Sequence, residues 1–317
     1  MTRAFIFPGQ GSQAVGMGLA LSQSFGAARL VFEEVDEALK QKLSKIMFEG
    51  PESDLTLTEN AQPALMAVSI AALRVLETEG GWRLADKASY VAGHSLGEYS
   101  ALAATGALVV SDAARLLKLR GQSMQKAVPV GEGAMAALLG PELDQVQKIA
   151  KQAAEETKKV CDVANDNSPG QIVVSGAKEA VERAIAIAAE QGVKRSIMLP
   201  VSAPFHCALM KPAADAMEEA LAKATIKQPA VPVIANVTVQ PVSDPATIAK
   251  LLVQQVTGTV RWRESILAMK SLGVTKVYEL GAGKVLAGLV KRIDKEIEAS
   301  SVGAPADVEA ALKALSQ

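Results

Sequence analysis

The chain has two histidines, His94 and His206, and they are its clearest candidates for acid–base chemistry. Imidazole is the only side chain whose ordinary pKa lies near neutrality. Any other base at neutral pH would be a carboxylate or a lysine with a strongly shifted pKa. Two histidines are too few for a histidine-rich metal site, and two cysteines, Cys161 and Cys207, are too few for a cysteine-based zinc site. We therefore expect no bound metal ion.

Ser95 is the candidate nucleophile. It lies in Gly93-His94-Ser95-Leu96-Gly97, which matches the pattern G-x-S-x-G. An apolar run at Ala88–Ala92 predicts a buried strand before this segment, and a helix is predicted after it. In that setting the pattern forms a tight turn that lifts the serine clear of a sheet. The alternative is an ordinary strand-to-helix turn in which Ser95 only caps the helix.

A serine hydroxyl needs a base to become a nucleophile. His94 adjoins Ser95, but neighbouring side chains on a strained turn point in different directions. We therefore expect His94 to be structural or to line the site. His206, in Pro204-Phe205-His206-Cys207, is the predicted base. The alternative for His206 is a buried histidine bonded only to the backbone.

The group that would orient the base is not selected by any spacing rule. Asp166, Asp215 and Glu279 are candidate acids. A backbone carbonyl could also fix the tautomer of the imidazole.

The elements that must position these residues alternate between strand-like and helix-like patterns, which predicts an α/β protein. Predicted strands are Ala4–Phe7, Ala88–Ala92, Val231–Val237 and Lys276–Leu280. Predicted helices are Ala27–Leu43, Ala61–Leu76, Leu96–Thr105, Ser111–Gln125 with Ser111 as N-cap, Lys211–Ala224, Ile248–Gln255, Glu264–Leu272 and one beginning at Val285. An Ala-rich helix in the tail after Glu298 is predicted to do no more than cap the surface.

The region after Val128 follows a different order of elements, β-α-β-β-α-β, which is typical of a ferredoxin-like domain. Its predicted elements are Ala134–Leu139, Leu143–Lys158, Val160–Asn165, Ile172–Ser175, Lys178–Gln191 and Lys194–Leu199. We predict a small ferredoxin-like domain at residues 128–198, inserted into a larger α/β domain formed by residues 1–127 and 199–317.

The composition excludes several classes of partner. The net charge is -1, so no basic excess is available for a nucleic-acid backbone, and aromatic residues make up only 3%. No apolar run approaches the roughly 20 residues of a membrane helix, and the N-terminus lacks a signal peptide's apolar region. We expect a cytoplasmic monomer with no nucleic-acid or membrane partner.

Four segments occur in a fixed order: Phe7–Gln13, Gly93–Ser100, Arg120 with Gln122–Gln125, and Pro204–Cys207. Together they resemble the malonyl-CoA:acyl carrier protein transacylases of type II fatty acid synthesis, which belong to the acyltransferase family. The resemblance extends from about Ala4 to Ile293. It implies an α/β-hydrolase-like large domain with a ferredoxin-like insert.

The resemblance also implies roles for the reacting groups. Ser95 matches the acylated nucleophile, and His206 matches the general base. Gln255 matches the position whose carbonyl orients that histidine, so no acid is needed. The backbone N–H groups of Gln10 and Leu96 match the oxyanion hole.

Further positions match the substrate pocket of the family. Arg120 matches the residue that binds the malonyl carboxylate; without the resemblance, a surface ion pair is its simpler interpretation. Phe205 matches a phenylalanine that accompanies malonyl rather than methylmalonyl substrates. Gln13, Asn165 and His94 are predicted to line the same pocket.

The implied reaction moves a malonyl group from malonyl-CoA to Ser95 and then to the phosphopantetheine thiol of acyl carrier protein, with no cofactor. The carrier protein of this pathway is acidic, so a local basic patch is expected. Candidates for this patch, which could equally be ordinary surface charge, are Lys194, Arg195, Lys284, Lys291 and Arg292.

Three other functions are open. A serine thioesterase or hydrolase would share the nucleophile and the base. A non-catalytic scaffold for carrier protein would use neither. Gly9-x-Gly11-x-x-Ala14 also fits a dinucleotide fingerprint, but Glu33 and Glu34 fall within a predicted helix rather than at the end of a second strand, which disfavours it.

Overall fold

The computed structural model describes residues 2–316. Its strands are β1 (Thr2–Phe7), β2 (Tyr90–Gly93), β3 (Gly133–Leu139), β4 (Cys161–Ser168), β5 (Gln171–Ala177), β6 (Arg195–Met198), β7 (Val233–Ile234), β8 (Pro241–Val242), β9 (Val274–Leu280) and β10 (Glu298–Val302). Its helices are α1 (Leu19–Ser24), α2 (Gly26–Leu39), α3 (Leu43–Glu49), α4 (Glu52–Thr56), α5 (Thr58–Gly80), α6 (Leu84–Lys87), α7 (Gly97–Ala104), α8 (Val110–Ala127), α9 (Leu143–Thr157), α10 (Lys178–Glu190), α11 (Lys211–Lys223), α12 (Pro245–Thr257), α13 (Trp262–Ser271), α14 (Val285–Ile293) and α15 (Pro305–Leu315). Among these helices, none combines the length and the apolar character needed to cross a membrane.

The main sheet has the strand order β10-β9-β1-β2-β7-β8. Its first five strands are parallel, and β8 is antiparallel to β7. Strand β1 shows why such a sheet needs helices on both faces. Phe5 and Phe7 enter the larger core cluster with α5, whereas Ala4 and Ile6 enter a second cluster with α13 and α14. Because successive side chains point to opposite faces, an apolar run of this kind is buried on both sides.

The second sheet is antiparallel, with the order β4-β5-β3-β6. Helices α9 and α10 cover one face, where Val146, Ile149 and Val181 are buried. Residues from the other face, Met135 and Val173, join the larger core cluster. The protein is therefore a mixed α/β structure with one mainly parallel sheet and one separate antiparallel sheet.

Several predicted boundaries are wrong. Only two residues of the predicted strand Val231–Val237 form a strand, β7. Pro232 has no N–H to donate, and the N–H of Ala235 already donates to the Gln240 carbonyl in a turn toward β8. The predicted helix over Ala27–Leu43 ends at Leu39. The next residue adopts a left-handed conformation, and α3 begins after the break.

Helix α8 starts at Val110, so Ser111 is not its N-cap. Glu33 and Glu34 lie within α2, as predicted.

The C-terminal tail does more than cap the surface. Residues Glu298–Val302 form β10, which pairs in parallel with β9 at the edge of the main sheet. Helix α15 then buries Val308 and Leu315 in the larger core cluster. The strand was not predicted because four of its five residues are small or polar, which an edge position tolerates.

The turn from β2 to α7, Gly93–Gly97, is called the nucleophile elbow below. Its two glycines have no room for a side chain. A Cβ on Gly93 would lie 1.9 Å from the carbonyl carbon of Gly97, and one on Gly97 would lie 2.3 Å from the carbonyl oxygen of Phe7. These neighbours are backbone atoms and cannot move aside, so the elbow is pressed directly against β1.

Gly97→Ala should therefore destabilise the fold by about 3 kcal/mol, the upper end of the usual cost of overpacking, measured as the free energy of unfolding in urea. Gly288→Ala is the matched control. A Cβ added to Gly288, in α14, would make no packing contact within 4 Å, and a helical alanine there should add roughly 0.5–1 kcal/mol. Equal stability of the two variants would contradict the packing described for the elbow.

Candidate active site

The elbow holds Ser95 in a left-handed conformation, with φ of 54°. Asn236, in the loop after β7, binds the elbow backbone at Ser95 and at Gly93. Its Oδ1 accepts from the Ser95 N–H at 2.8 Å, and its Nδ2 donates to the Gly93 carbonyl at 2.7 Å. Because β7 is the neighbour of β2, the topology delivers this amide to the turn. Asn236 was not among the predicted site residues.

Ser95 and His206 are brought together although 111 residues separate them in the chain. The Ser95 Oγ lies 2.7 Å from His206 Nε2, and His206 Nδ1 lies 2.9 Å from the carbonyl oxygen of Gln255. A carbonyl can only accept, so Nδ1 carries the proton and Nε2 is free to accept from the serine hydroxyl. The arrangement is a Ser–His pair oriented by a backbone carbonyl.

The three candidate acids are engaged elsewhere. Asp166 pairs with Arg263 at 2.9 Å, and Asp215 pairs with Lys211 on α11. Glu279 accepts from two backbone N–H groups at the start of α14. None of the three is bonded to the imidazole, which leaves the carbonyl as its orienting group.

The imidazole of His206 is neutral at physiological pH. Burial lowers its pKa to about 3, and the positive charge of Arg120 adds to this effect. Hydrogen bonding to the Gln255 carbonyl opposes the shift. A neutral imidazole is the form that can take a proton from Ser95.

Arg120 is a buried cation, 1% exposed, whose hydrogen-bond partners are neutral oxygens. Its Nη1 donates to Gln62 Oε1 at 2.7 Å, and its Nη2 donates to Gln255 Oε1 at 2.8 Å and to Ser95 Oγ at 3.1 Å. Its Nε has no partner within residues 2–316. A surface ion pair is therefore not its role. A buried guanidinium held by neutral groups is suited to receive an anion.

Two backbone N–H groups remain available beside the serine. Across the described residues, neither Gln10 N–H nor Leu96 N–H donates to a protein acceptor. Gln10 follows β1 and Leu96 follows Ser95, so the two groups come from loops after adjacent strands. The N–H of Ser95 itself is used by Asn236.

His94 is engaged away from the serine hydroxyl. Its Nε2 lies 2.8 Å from Asn167 Oδ1 on β4, and its ring lies 5.6 Å from that of Trp262. Burial lowers its pKa. His94 thus joins the elbow to the second sheet, through a residue that the predicted strand Val160–Asn165 stopped short of.

Three other predicted pocket residues are Phe205, Gln13 and Asn165. Phe205 is buried in the larger core cluster. The Oε1 of Gln13 accepts from the backbone N–H of Gly11 in its own loop at 2.7 Å. Asn165 is buried and pairs through its backbone with Val260. In the described part of the chain, none of the three bonds to the Ser–His pair or to the guanidinium.

Sequence reasoning also missed Glu98, which lies beneath the elbow on α7. Its Oε1 accepts from the Asn236 N–H at 3.0 Å, and its Oε2 accepts from Gln255 Nε2. Burial raises its pKa to about 7, against the effect of these hydrogen bonds and of Arg120. A charged residue in the small, apolar sequence of α7 was the one signal that could have marked it.

We predict that His206 stays neutral between about pH 8 and pH 5, because its pKa lies well below the ordinary 6.5. Imidazole NMR can test this, since the chain has only two histidines. The unfolded chain binds a proton that folded His206 does not, so stability should fall as the pH drops below about 6.5. A midpoint near 6.5 for His206, assigned with His94→Asn, would contradict the prediction.

Comparison with known proteins places the chain in a family. A sequence model described as "Acyl transferase domain" matches residues 4–302. The malonyl CoA-acyl carrier protein transacylase of Bacillus subtilis strain 168 is 46% identical over 314 residues, which cover 99% of this chain and 97% of that protein.

Solved structures of related proteins are also similar to this chain. The acyl-carrier-protein S-malonyltransferase of Bartonella henselae has a TM-score of 0.97 and 56% identity, with 100% of both chains covered. A malonyl-transacylase solved with a type II PKS acyl-carrier protein has a TM-score of 0.95 and 40% identity, covering 99% of this chain and 100% of its own. The chain belongs to the acyl transferase family.

Proposed function

We propose that this chain is a malonyl-CoA:acyl carrier protein transacylase. The observation that carries this proposal is the position of Ser95 Oγ, 2.7 Å from His206 Nε2 and 3.1 Å from a guanidinium nitrogen of Arg120. The oxygen of the proposed nucleophile thus contacts both a base, His206, and a cation, Arg120, that can bind a carboxylate. The names of the Bacillus subtilis and Bartonella henselae relatives support the same reaction.

The first half-reaction makes a malonyl-serine ester. Ser95 Oγ attacks the thioester carbonyl of malonyl-CoA while His206 Nε2 takes its proton. The oxygen of the tetrahedral intermediate is stabilised by the N–H groups of Gln10 and Leu96. The C–S bond then breaks, and the departing thiolate takes the proton from His206.

The second half-reaction runs in the opposite direction with a different thiol. The phosphopantetheine thiol of the carrier protein gives its proton to His206 Nε2 and attacks the ester carbonyl. The C–O bond to Ser95 breaks, and the serine oxygen recovers the proton. The Gln255 carbonyl holds Nδ1–H throughout, so the imidazolium keeps its orientation without a paired acid. Thioester exchange involves no oxidation, so the substrates suffice without a cofactor.

Arg120 gives the site its preference for malonyl. Malonyl differs from acetyl by one carboxylate, and each hydrogen bond to a charged group contributes about 1.5–3 kcal/mol. Without a bound acyl group, one Nη2 hydrogen of Arg120 is donated to Ser95 Oγ. Esterification makes that oxygen a poorer acceptor, which releases the hydrogen for the carboxylate. We further propose that Phe205 excludes a methyl-branched acyl group.

The pocket roles of Gln13, Asn165 and His94 remain predictions. So does the finer description of the architecture, an α/β-hydrolase-like domain with a ferredoxin-like insert at residues 128–198. The chain order β3-α9-β4-β5-α10-β6 and its antiparallel sheet support the insert. The predicted large domain includes Met1 and Gln317, which lie outside the described residues.

We propose acyl carrier protein as the partner, supported by the related malonyl-transacylase solved with such a carrier. The residues proposed to attract it electrostatically are Lys194, Arg195, Lys284, Lys291 and Arg292.

Arg120→Ala should reduce the rate of Ser95 malonylation at least about tenfold relative to acetylation, because only malonyl uses the lost charge. The measurement is the ratio of malonyl-enzyme to acetyl-enzyme formation, which cancels differences in the folded fraction. Arg115→Ala is the matched control, since Arg115 lies on the same helix but pairs with Asp112 on the surface. An unchanged ratio in Arg120→Ala would remove the proposed role.

The hydrolase alternative makes a different prediction about the second half-reaction. Malonyl-enzyme should transfer its acyl group to holo carrier protein faster than it releases free malonate, and Ser95→Ala should form no acyl-enzyme. Radiolabelled malonyl-CoA, followed with and without carrier protein, measures both products. Hydrolysis that is equally fast in both cases would favour a thioesterase, and no labelling of wild type would favour a non-catalytic scaffold.

A further inference from the structure

We propose that Glu98 is a positioning residue for acyl transfer, because one buried carboxylate fixes the groups that hold the nucleophile, the base and the guanidinium. The kinetic part of this inference rests on the function proposed above. The structural part concerns the imidazole of His206 in the free enzyme.

Glu98 lies three residues after Ser95, on the first turn of α7, and its carboxylate receives two donors. Oε1 accepts from the backbone N–H of Asn236 at 3.0 Å, and Oε2 accepts from Gln255 Nε2. Both partners in turn bind Ser95. Asn236 Oδ1 accepts from its N–H at 2.8 Å, and Gln255 Nε2 donates to its carbonyl at 2.9 Å. Glu98 therefore anchors both residues whose side-chain amides hold the serine backbone.

Glu98 and Arg120 together determine which way the amide of Gln255 faces. Arg120 can only donate, so the atom that meets its Nη2 at 2.8 Å must be the oxygen, Oε1. The NH₂ end then points toward Glu98, where an acceptor is required. Reversal of this amide would place two donors together at Arg120.

The same residue, Gln255, fixes the base through its backbone. Its carbonyl oxygen accepts from His206 Nδ1 at 2.9 Å. Hydrogen bonds fix both Oε1 and Nε2 of the Gln255 side chain. They therefore keep the backbone carbonyl of the same residue in place near the end of α12. The carboxylate of Glu98 thus acts on His206 through Gln255, although it does not touch the imidazole.

A neutral amide of the same shape could not replace this carboxylate. Two donors converge on Glu98, and an amide has one oxygen, so its NH₂ would face either the Asn236 N–H or Gln255 Nε2. Water has little room to take the place of the lost acceptor. The cavity beside Glu98 has a volume of about 10 Å³, room for at most a single water, and is lined by apolar side chains: Leu102, Val233, Ala235, Val242, Ile248, Leu251 and Leu252.

Glu98→Gln is the first test. We expect the rate of Ser95 acylation to fall about ten- to hundredfold for malonyl-CoA and acetyl-CoA alike, and the Nδ1–H NMR signal of His206 to broaden or disappear. Glu219→Gln is the matched control, because Glu219 is exposed on α11. A folded Glu98→Gln variant with a wild-type rate and a wild-type His206 signal would overturn the proposal.

Glu98→Asp separates positioning from general damage to the fold. It keeps two acceptor oxygens for the Asn236 N–H and for Gln255 Nε2, on a side chain one methylene shorter. We expect the Nδ1–H signal and the acylation rate to recover in part relative to Glu98→Gln. A folded Glu98→Asp variant that is no better than Glu98→Gln in either measurement would contradict the proposal.

The imidazole NMR signal and the formation of malonyl-enzyme test different proposals. The imidazole signal is measured without substrate, so it tests the positioning by Glu98 even if wild type forms no malonyl-enzyme. Absence of malonyl-enzyme would instead refute the proposed function alone.

Discussion

The burial of the Arg120 guanidinium among neutral oxygens is the constraint around which the site is built. An isolated charge is costly to bury, and a polar interior must surround it with well-placed acceptors. Gln62 and Gln255 supply two of them, and Ser95 supplies the third. Because Oε1 of Gln255 faces Arg120, its Nε2 faces Glu98, and its backbone carbonyl faces His206. The hydrogen bonds that stabilise one buried cation therefore determine much of the geometry of the site.

The topology explains how these groups meet. The loops after β1, β2 and β7 leave the same edge of a parallel sheet, and β2 lies between the other two strands. They bring Gln10, Ser95 and Asn236 to one place. His206 arrives from the chain segment that returns after the antiparallel sheet, and the bond between His94 and Asn167 ties that sheet to the elbow. Ligand sites at the carboxyl ends of parallel strands are a general property of open α/β sheets.

Much of this could be predicted where the signal was local. The strand, glycine and serine spacing around Ser95 predicted the elbow, and alternating periodicities predicted a mixed α/β fold. The scarcity of histidine left His206 as the base to consider. The orienting group for that base could not be selected, because a backbone carbonyl carries no sequence signature. Asn236 and Glu98 were missed for a related reason: their importance comes from pairing across 138 residues. The edge strand β10 was missed because its polar residues lack the alternation that marks half-buried strands.

Ser95 and His206 share one further property, a left-handed backbone with φ of 54° and 56°. Neither residue prefers this conformation, so both are held there by the surrounding tertiary contacts. No local secondary structure would therefore keep these two residues in place if those contacts loosened. Partial opening of the loops would relax both residues while the two sheets stayed intact. We therefore expect the geometry of the Ser95–His206 pair to be lost more easily than the fold itself.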